Sequence, residues 1–376
     1  MEITDRQIGV LMAARVPPAK LVRAVETLRH YLNALHRRLV PPPVALMEMA
    51  VEAWAAQAIT AAADLGIADA LAKAAPKGGL SAEELAAAVG ADADALSRML
   101  RALIPRGLFR QRRDGRYELT PLADTLRRDA DVSIAGWTRW LGSPQHREHW
   151  SHLTDAIRTG RPVIPALRGK PVFEYLADEK ELGEIFNQAM TSGSELSIAP
   201  LIAAYDFSPY GTVVDVGGGH GRLLSAILAA TPQARGILFD LPQVVAGAPV
   251  VLSEHNVEDR VRIVPGSFFD DVPEGGDAYV LKSVIHDWAD DESVQILRNV
   301  RSAAQPGKHV LLLEFVIPEH HREFIGNWFD LEMLLALGAR ERTAAEYRRL
   351  LERAGFRMTR VVETASPFCI VEGTAV

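Results

Sequence analysis

The residues best placed to do chemistry lie in the second half of the chain. A short apolar strand, Thr212 to Val216, runs into Asp215-Val-Gly217-Gly-Gly219-His-Gly221. Glycines in such a turn let the backbone approach a ligand, and the following helix offers free N–H groups at its positive end. The dinucleotide pattern G-x-G-x-x-G fails, because its third glycine would fall at Arg222. D-x-G-x-G-x-G suits a nucleoside with no pyrophosphate to cradle, such as S-adenosylmethionine. Asp240 ends the second strand, where a carboxylate can accept both ribose hydroxyls. That identifies a ribose and leaves the cofactor open. Gly266-Ser267-Phe268-Phe269 ends the third strand. One of its aromatics could pack on adenine, and at least one is expected to be simple core. All these positions sit at carboxyl ends of strands, where open parallel sheets bind ligands.

Leu281-Lys-Ser-Val-Ile-His286-Asp-Trp288 follows the fourth strand, and Glu314 stands on the fifth. A lone histidine is usually a capping or core residue, so a carboxylate on the next strand matters to its reading. Leu312-Leu-Glu314-Phe-Val-Ile-Pro318 and Gly338-Ala-Arg-Glu341-Arg-Thr343 come later. Together with Asp215–Gly221 and Phe239-Asp-Leu-Pro242, these runs resemble the plant-type small-molecule O-methyltransferases, of which caffeic acid O-methyltransferase is the best-known type. Bacterial relatives act on polyketides and similar aromatics. The resemblance covers most of the chain.

It implies that His286 is the general base, with Glu314 and Glu341 flanking it. It assigns Gly217, Asp240 and Lys282 to the cofactor S-adenosylmethionine, and Phe186, Met190, Asp330 and Met333 to the pocket of a small aromatic hydroxylated acceptor. The position before Phe268 is usually acidic and directed at the adenine amine; here it is Ser267, and the family's glycine pair before E-R-T is Gly338-Ala339. The front domain of the family serves dimerisation. The chemistry has need of such a set. A phenol titrates near 10 and histidine near 6.5, so full proton transfer is uphill by about 5 kcal/mol. Carboxylates beside the imidazole reduce that cost by stabilising the imidazolium. An N-methyltransferase, or a relative that binds the cofactor without transferring methyl, would keep Gly217 and Asp240 but would need the His286–Glu314–Glu341 set less.

The elements that must position these residues fall into two unlike halves. From about residue 206, strands at Thr212 to Val216, Ile237 to Asp240, Val261 to Val264, Ala278 to Lys282 and Val310 to Val316 alternate with helical stretches. This predicts an α/β, Rossmann-like, parallel doubly wound sheet. A capping box, Thr343-x-x-Glu346, opens a helix to about Ala354, and strands near Met358 to Val362 and Phe368 to Val371 close the chain. The front half is mainly helical. Leu21, Val25, Leu28, Leu32, Leu35 and Leu39 recur at the spacing of a coiled-coil seam. Val44 to Ala63 is apolar nearly all round and must be buried on several sides. Both point to packing on a second copy of the chain, a homodimer. Ser81-Ala-Glu-Glu84 opens a short helix ending at Gly90; a helix from Asp92 to Ile104 and a hairpin turning at Asp114-Gly115 follow. This is a winged-helix order over about 44–125. The expected domains are a helical dimerisation part, 1–200, and a cofactor-binding catalytic part, 201–376.

Arginines at 98, 101, 106, 110, 112 and 113 surround that module, so a DNA-binding regulator is a rival reading. The net charge of −7 weighs against a dedicated nucleic-acid binder. A single cysteine, Cys369, excludes an internal disulfide and fits a cytoplasmic setting. The first residues lack the basic and apolar runs of a signal peptide. Glu48, Glu52 and Asp64 interrupt the best membrane candidate, so no membrane partner is expected. No metal site is evident; the adjacent His320-His321 pair reads as a solvated loop.

Overall fold

The computed structural model describes residues 16–130, 132–320 and 323–376. They form two compact units: one gathers Leu32–Thr154 and Leu167–Glu195, the other the chain up to Tyr31, Asp155–Ala166 and Leu196–Val376.

Two long front helices, α1 (Ala19–Arg38) and α2 (Pro42–Asp64), are separated by the prolines at 41 to 43. None of α1 is buried, and the six seam residues, the last of them Leu39 just past its end, are all 48–74% exposed. In α2 only Thr60, Ala62 and Ala63 are buried, while Leu46, Met47, Met49 and Trp54 face outward. The expectation of burial on several sides therefore fails within one chain. An apolar surface of this extent is the mark of an interface.

The rest of the helical unit begins with α3 (Ile67–Ala74), α4 (Ala82–Val89) and α5 (Ala93–Leu103), followed by strands β1 (Phe109–Gln111) and β2 (Tyr117–Leu119). Sequence signals set the ends. Ser81 and Glu84 exchange both capping-box bonds, at 3.2 and 2.8 Å. Asp92 caps α5 through Ala95 N–H at 2.8 Å. Gly115, at φ 84°, turns the hairpin in a conformation that other residues resist. Ile67, Leu71, Leu85, Leu100, Leu103 and Phe109 make the core. Three of the six arginines named above are in ion pairs: Arg106 pairs with Glu52, and Arg110 and Arg112 pair with Glu118; nearby, Arg116 pairs with Glu84. Two further helices matter below, α6 (Ala135–Gly142) and α7 (Lys180–Ala204), the second of which carries Phe186 and Met190.

The other unit is built on one sheet of β3 (Thr212–Val216), β4 (Arg235–Asp240), β5 (Val261–Pro265), β6 (Ala278–Lys282), β7 (His309–Ile317), β8 (Arg342–Thr343), β9 (Phe356–Glu363) and β10 (Phe368–Ala375). Its order is β5-β4-β3-β6-β7-β10-β9, with β8 beside the end of β7. Strands β3 to β7 are parallel, as expected. The closing strands add an antiparallel pair to this parallel sheet: β10 runs antiparallel to both β7 and β9. The reason is local: Thr364-Ala-Ser-Pro367 is too short for a crossover and can only reverse the chain. Alternate residues of β3 enter two cores, Val214 and Val216 on one face, Val213 on the other, with α8 (Arg222–Ala230) and α9 (Asp290–Ala303) on opposite sides. Both faces covered is the condition under which a parallel sheet is stable. Helices α10 (Gly326–Leu337) and α11 (Ala344–Arg353) complete the unit; the Thr343 capping box that opens α11 is formed.

Candidate active site

The site is built where β6 stops. Ser283 takes a left-handed φ of 54°, rare for a residue with a side chain. This bend aims two successive N–H groups, of Val284 and Ile285, at Glu314 Oε1 on β7, at 3.1 and 2.8 Å. A charged residue in the middle of a buried strand is thereby given partners. The next residues, Ile285–Asp287, form a single 3₁₀ turn that presents His286. Glu341 arrives from the loop after α10, where its own N–H donates to Asp330 Oδ1 at 2.9 Å.

These segments bring the three expected residues together. His286 Nδ1–H donates to Glu341 Oε1 at 2.8 Å, and Glu314 Oε2 lies 3.9 Å from the same nitrogen. Nε2, the other nitrogen, lies 3.3 Å from Asp287 Oδ1. Glu314 and Glu341 are buried. Burial alone would push the imidazole down, but the charges of Glu341, Asp287 and Glu314 carry it up to about 10. Burial raises Glu314 to about 7 and Asp287 to about 6, against the opposing pull of His286. The imidazole therefore keeps its proton at neutral pH. The same donor atoms of His286, Glu314 and Glu341 lie within 4.8 Å of one another, a spacing that a metal ion could also use. The His320–His321 pair extends to residue 321, which lies outside the described residues.

The nucleoside-type residues gather at the carboxyl ends of β3, β4 and β5. Gly217 is at φ 69°, and a Cβ there would come within 2.9 Å of Val284 Cγ2 and 3.6 Å of the Phe268 ring. Asp240 Oδ2 accepts Gly219 N–H at 2.8 Å and Oδ1 accepts Leu241 N–H at 2.7 Å, so the carboxylate is held in the mouth of the turn. Phe268 and Phe269 pack edge-on against Trp288, with centroids 6.0 and 4.6 Å apart. Ser267 Oγ accepts Phe269 N–H at 3.2 Å. Burial lowers Lys282 to about 8, opposed by Glu314 and Asp215, and its ammonium lies over the Phe368 ring.

Of the four acceptor-pocket positions, Asp330 and Met333 lie on α10, in the unit that holds His286; burial raises the carboxyl of Asp330. Phe186 and Met190 lie on the part of α7 that belongs to the helical unit, where Phe186 packs edge-on against Trp140 at 5.0 Å. Three residues given no role from the sequence stand out. Asp215 is buried, and burial raises it to about 7. Asp287 lies beside Nε2, and Arg342 is buried behind the turn. All three were visible inside quoted motifs, Arg342 as the arginine of the E-R-T run, but their spacing along the chain assigned them no role.

Comparison with known proteins fits this geometry. The O-methyltransferase domain model matches residues 150–357, and the O-methyltransferase dimerisation domain model matches residues 47–129. The phenazine O-methyltransferase PhzM of Lysobacter antibioticus is 42% identical over 333 residues, 89% of this chain and 96% of the relative. The 8-amino-8-demethylriboflavin N,N-dimethyltransferase of Streptomyces davaonensis is 34% identical, covering 78% of this chain and 85% of the relative. A solved structure of the O-methyltransferase NcsB1 from neocarzinostatin biosynthesis, in complex with S-adenosylmethionine and 2-hydroxy-5-methyl naphthoic acid, superposes with a TM-score of 0.71 at 36% identity. It covers 86% of this chain and 96% of that one. The chain belongs to the O-methyltransferase family, a group of S-adenosylmethionine-dependent enzymes with a Rossmann-like sheet and a helical dimerisation domain. No helix among the described residues is long and apolar enough to cross a membrane.

Proposed function

We propose that the protein methylates a hydroxyl of a small aromatic molecule, with His286 as general base supported by Glu314 and Glu341. One observation carries the reading: an imidazole bonded through Nδ1 to a buried carboxylate at 2.8 Å, with its other nitrogen, Nε2, 3.3 Å from Asp287 Oδ1. Raised to about 10, the imidazole matches a phenol near 10, so proton transfer between them becomes nearly thermoneutral. The relatives' aromatic substrates support the acceptor class.

The residues present fit the cofactor. Gly217 gives a close approach that a side chain would fill, and the Asp215 Oδ2 atom is buried with no hydrogen-bond partner among the described residues. S-adenosylmethionine supplies, when bound, a methyl carbon activated by a sulfonium. Around it Asp240 would accept the ribose hydroxyls, Phe268 would stack on adenine beside Ser267, and Lys282 would border the site. Asp330 and Met333 would border the acceptor ring. His286 would take the proton of the acceptor hydroxyl, and Glu341 would stabilise the resulting imidazolium.

The exposed seam of α1 and the outward face of α2 support a homodimer, with residues 1–200 serving dimerisation and 201–376 catalysis. The paired arginines support a structural winged helix that does not bind nucleic acid, and the lone buried Cys369 supports a cytoplasmic setting. The test pairs phenols with the matching anilines, with and without a chelator. Methyl transfer to the phenols, unchanged by the chelator, is expected. Transfer confined to the anilines would replace the reading with N-methylation, and loss of activity with the chelator would make the three donors a metal site.

A further inference from the structure

His286 and its two glutamates do not explain why the turn that carries the histidine stays where it is. The 3₁₀ turn is one hydrogen-bonded ring long and has few bonds of its own: Asp287 N–H to Val284 O at 3.3 Å and Trp288 N–H to Ile285 O at 3.4 Å, both long. Its position has to be fixed from outside.

The fixing group is a buried guanidinium. Arg342, only 1% exposed, donates from one terminal nitrogen to Ile285 O at 2.8 Å and from the other to Trp288 O at 2.7 Å. These are the carbonyls immediately before His286 and immediately after Asp287. The fork is oriented in turn. Asp290 Oδ1 accepts from both Nε and Nη2, at 3.0 and 2.9 Å. Ser293 Oγ lies 3.3 Å from Nη2 and itself donates toward Ile285 O and Trp288 O, at 3.3 and 3.2 Å. The neighbours of Arg342 hold the same turn at other points. Arg340 N–H donates to His286 O at 3.3 Å, and Glu341 accepts Nδ1–H. Residues 340, 341 and 342 thus grip the turn at three backbone carbonyls and the ring nitrogen of its histidine. Strand β8 anchors the grip, pairing Arg342 with Val316 two residues beyond Glu314.

We infer that Arg342 is a positioning residue for the base: its planar fork sets the height and tilt of the His286 turn, so that Nε2 meets the acceptor hydroxyl while Nδ1 stays on Glu341. The inference rests on the reading of His286 as the base. A fork is required because two carbonyls must be held at once; lysine carries the charge but not the second arm.

The test measures kcat per cofactor-binding site, counted by calorimetry, so that unfolded material does not enter. For Arg342→Lys, kcat should fall roughly ten- to a hundredfold, the scale of a small misplacement of a catalytic group. The acceptor KM and S-adenosylmethionine Kd should change little. Arg342→Ala should recover part of its rate in tens of millimolar guanidinium chloride and none in the same concentration of ammonium chloride. An unchanged kcat per site in Arg342→Lys overturns the inference, as does a loss that appears only in melting temperature. If the arginine variants do not fold, the surface variant Asp290→Asn decides: a few-fold lower kcat supports the fork, and a wild-type kcat overturns it. His286→Ala run beside them separates the two claims. An active His286→Ala sinks the base itself; an inactive one next to a fully active Arg342→Lys sinks only the positioning role.

Discussion

At the scale of single residues the account turns on electrostatics in a dry site. Asp240 keeps lone pairs beyond its two backbone bonds, so it can accept ribose hydroxyls without leaving its place. Asp240→Ala should weaken S-adenosylmethionine binding by about 1.5–3 kcal/mol, roughly ten- to 150-fold in Kd, measured by calorimetry. An unchanged Kd would remove Asp240 from the ribose. The second residue-scale prediction concerns pH. The acidic neighbours raise His286 to about 10, so its neutral, proton-accepting form grows as pH rises and is scarce at pH 7. The logarithm of kcat/KM should climb by about one per pH unit from neutrality toward 10, not level off near 6.5. Glu341→Gln removes the largest charge that raises the imidazole, so the limb should move to lower pH and the plateau should drop. A wild-type profile flat above pH 7.5 would contradict this. His286 and Glu314 were legible because strand order puts the ends of adjacent strands side by side. Arg342 was not, because its role depends on where a loop returns, and spacing along the chain carries no such information.

The elements divide in the same way. Local signals gave correct ends: the capping boxes at Ser81 and Thr343, Gly90 and the Asp114-Gly115 turn all act where their chemistry says. The antiparallel direction of β10, between β7 and β9, was not legible, because alternation of strands and helices fixes the crossovers and is silent about a closing hairpin. Helix α2 shows a different limit. Its pattern called for burial on several sides, and a single chain leaves Leu46, Met47, Met49 and Trp54 outside. The prediction belongs here. Leu28→Asp together with Leu35→Asp puts two charges into the α1 seam, where burying either unpaired would cost several kcal/mol. Light scattering should then show a monomer, or a dimer that dissociates on dilution, where the wild type stays dimeric. An unaltered, tight dimer would mean that the seam faces something else.

For the whole molecule, the proposed division of labour is between a sheet that builds the cofactor turn and the base cluster and front helices whose exposed apolar faces would pack on a second copy. The contacts argued for the cofactor come from β3, β4, β5 and β6, whereas His286, proposed to serve the acceptor, stands on the turn beyond β6. Cofactor binding and proton removal should therefore separate on mutation. His286→Ala, assayed with a phenol of ordinary acidity beside cofactor calorimetry, tests this most directly. The account predicts a fall in kcat of roughly 10²- to 10⁴-fold with the S-adenosylmethionine Kd almost unchanged, and a smaller deficit for an acceptor whose hydroxyl is already ionised. A His286→Ala enzyme that keeps most of its activity on the ordinary phenol would contradict it.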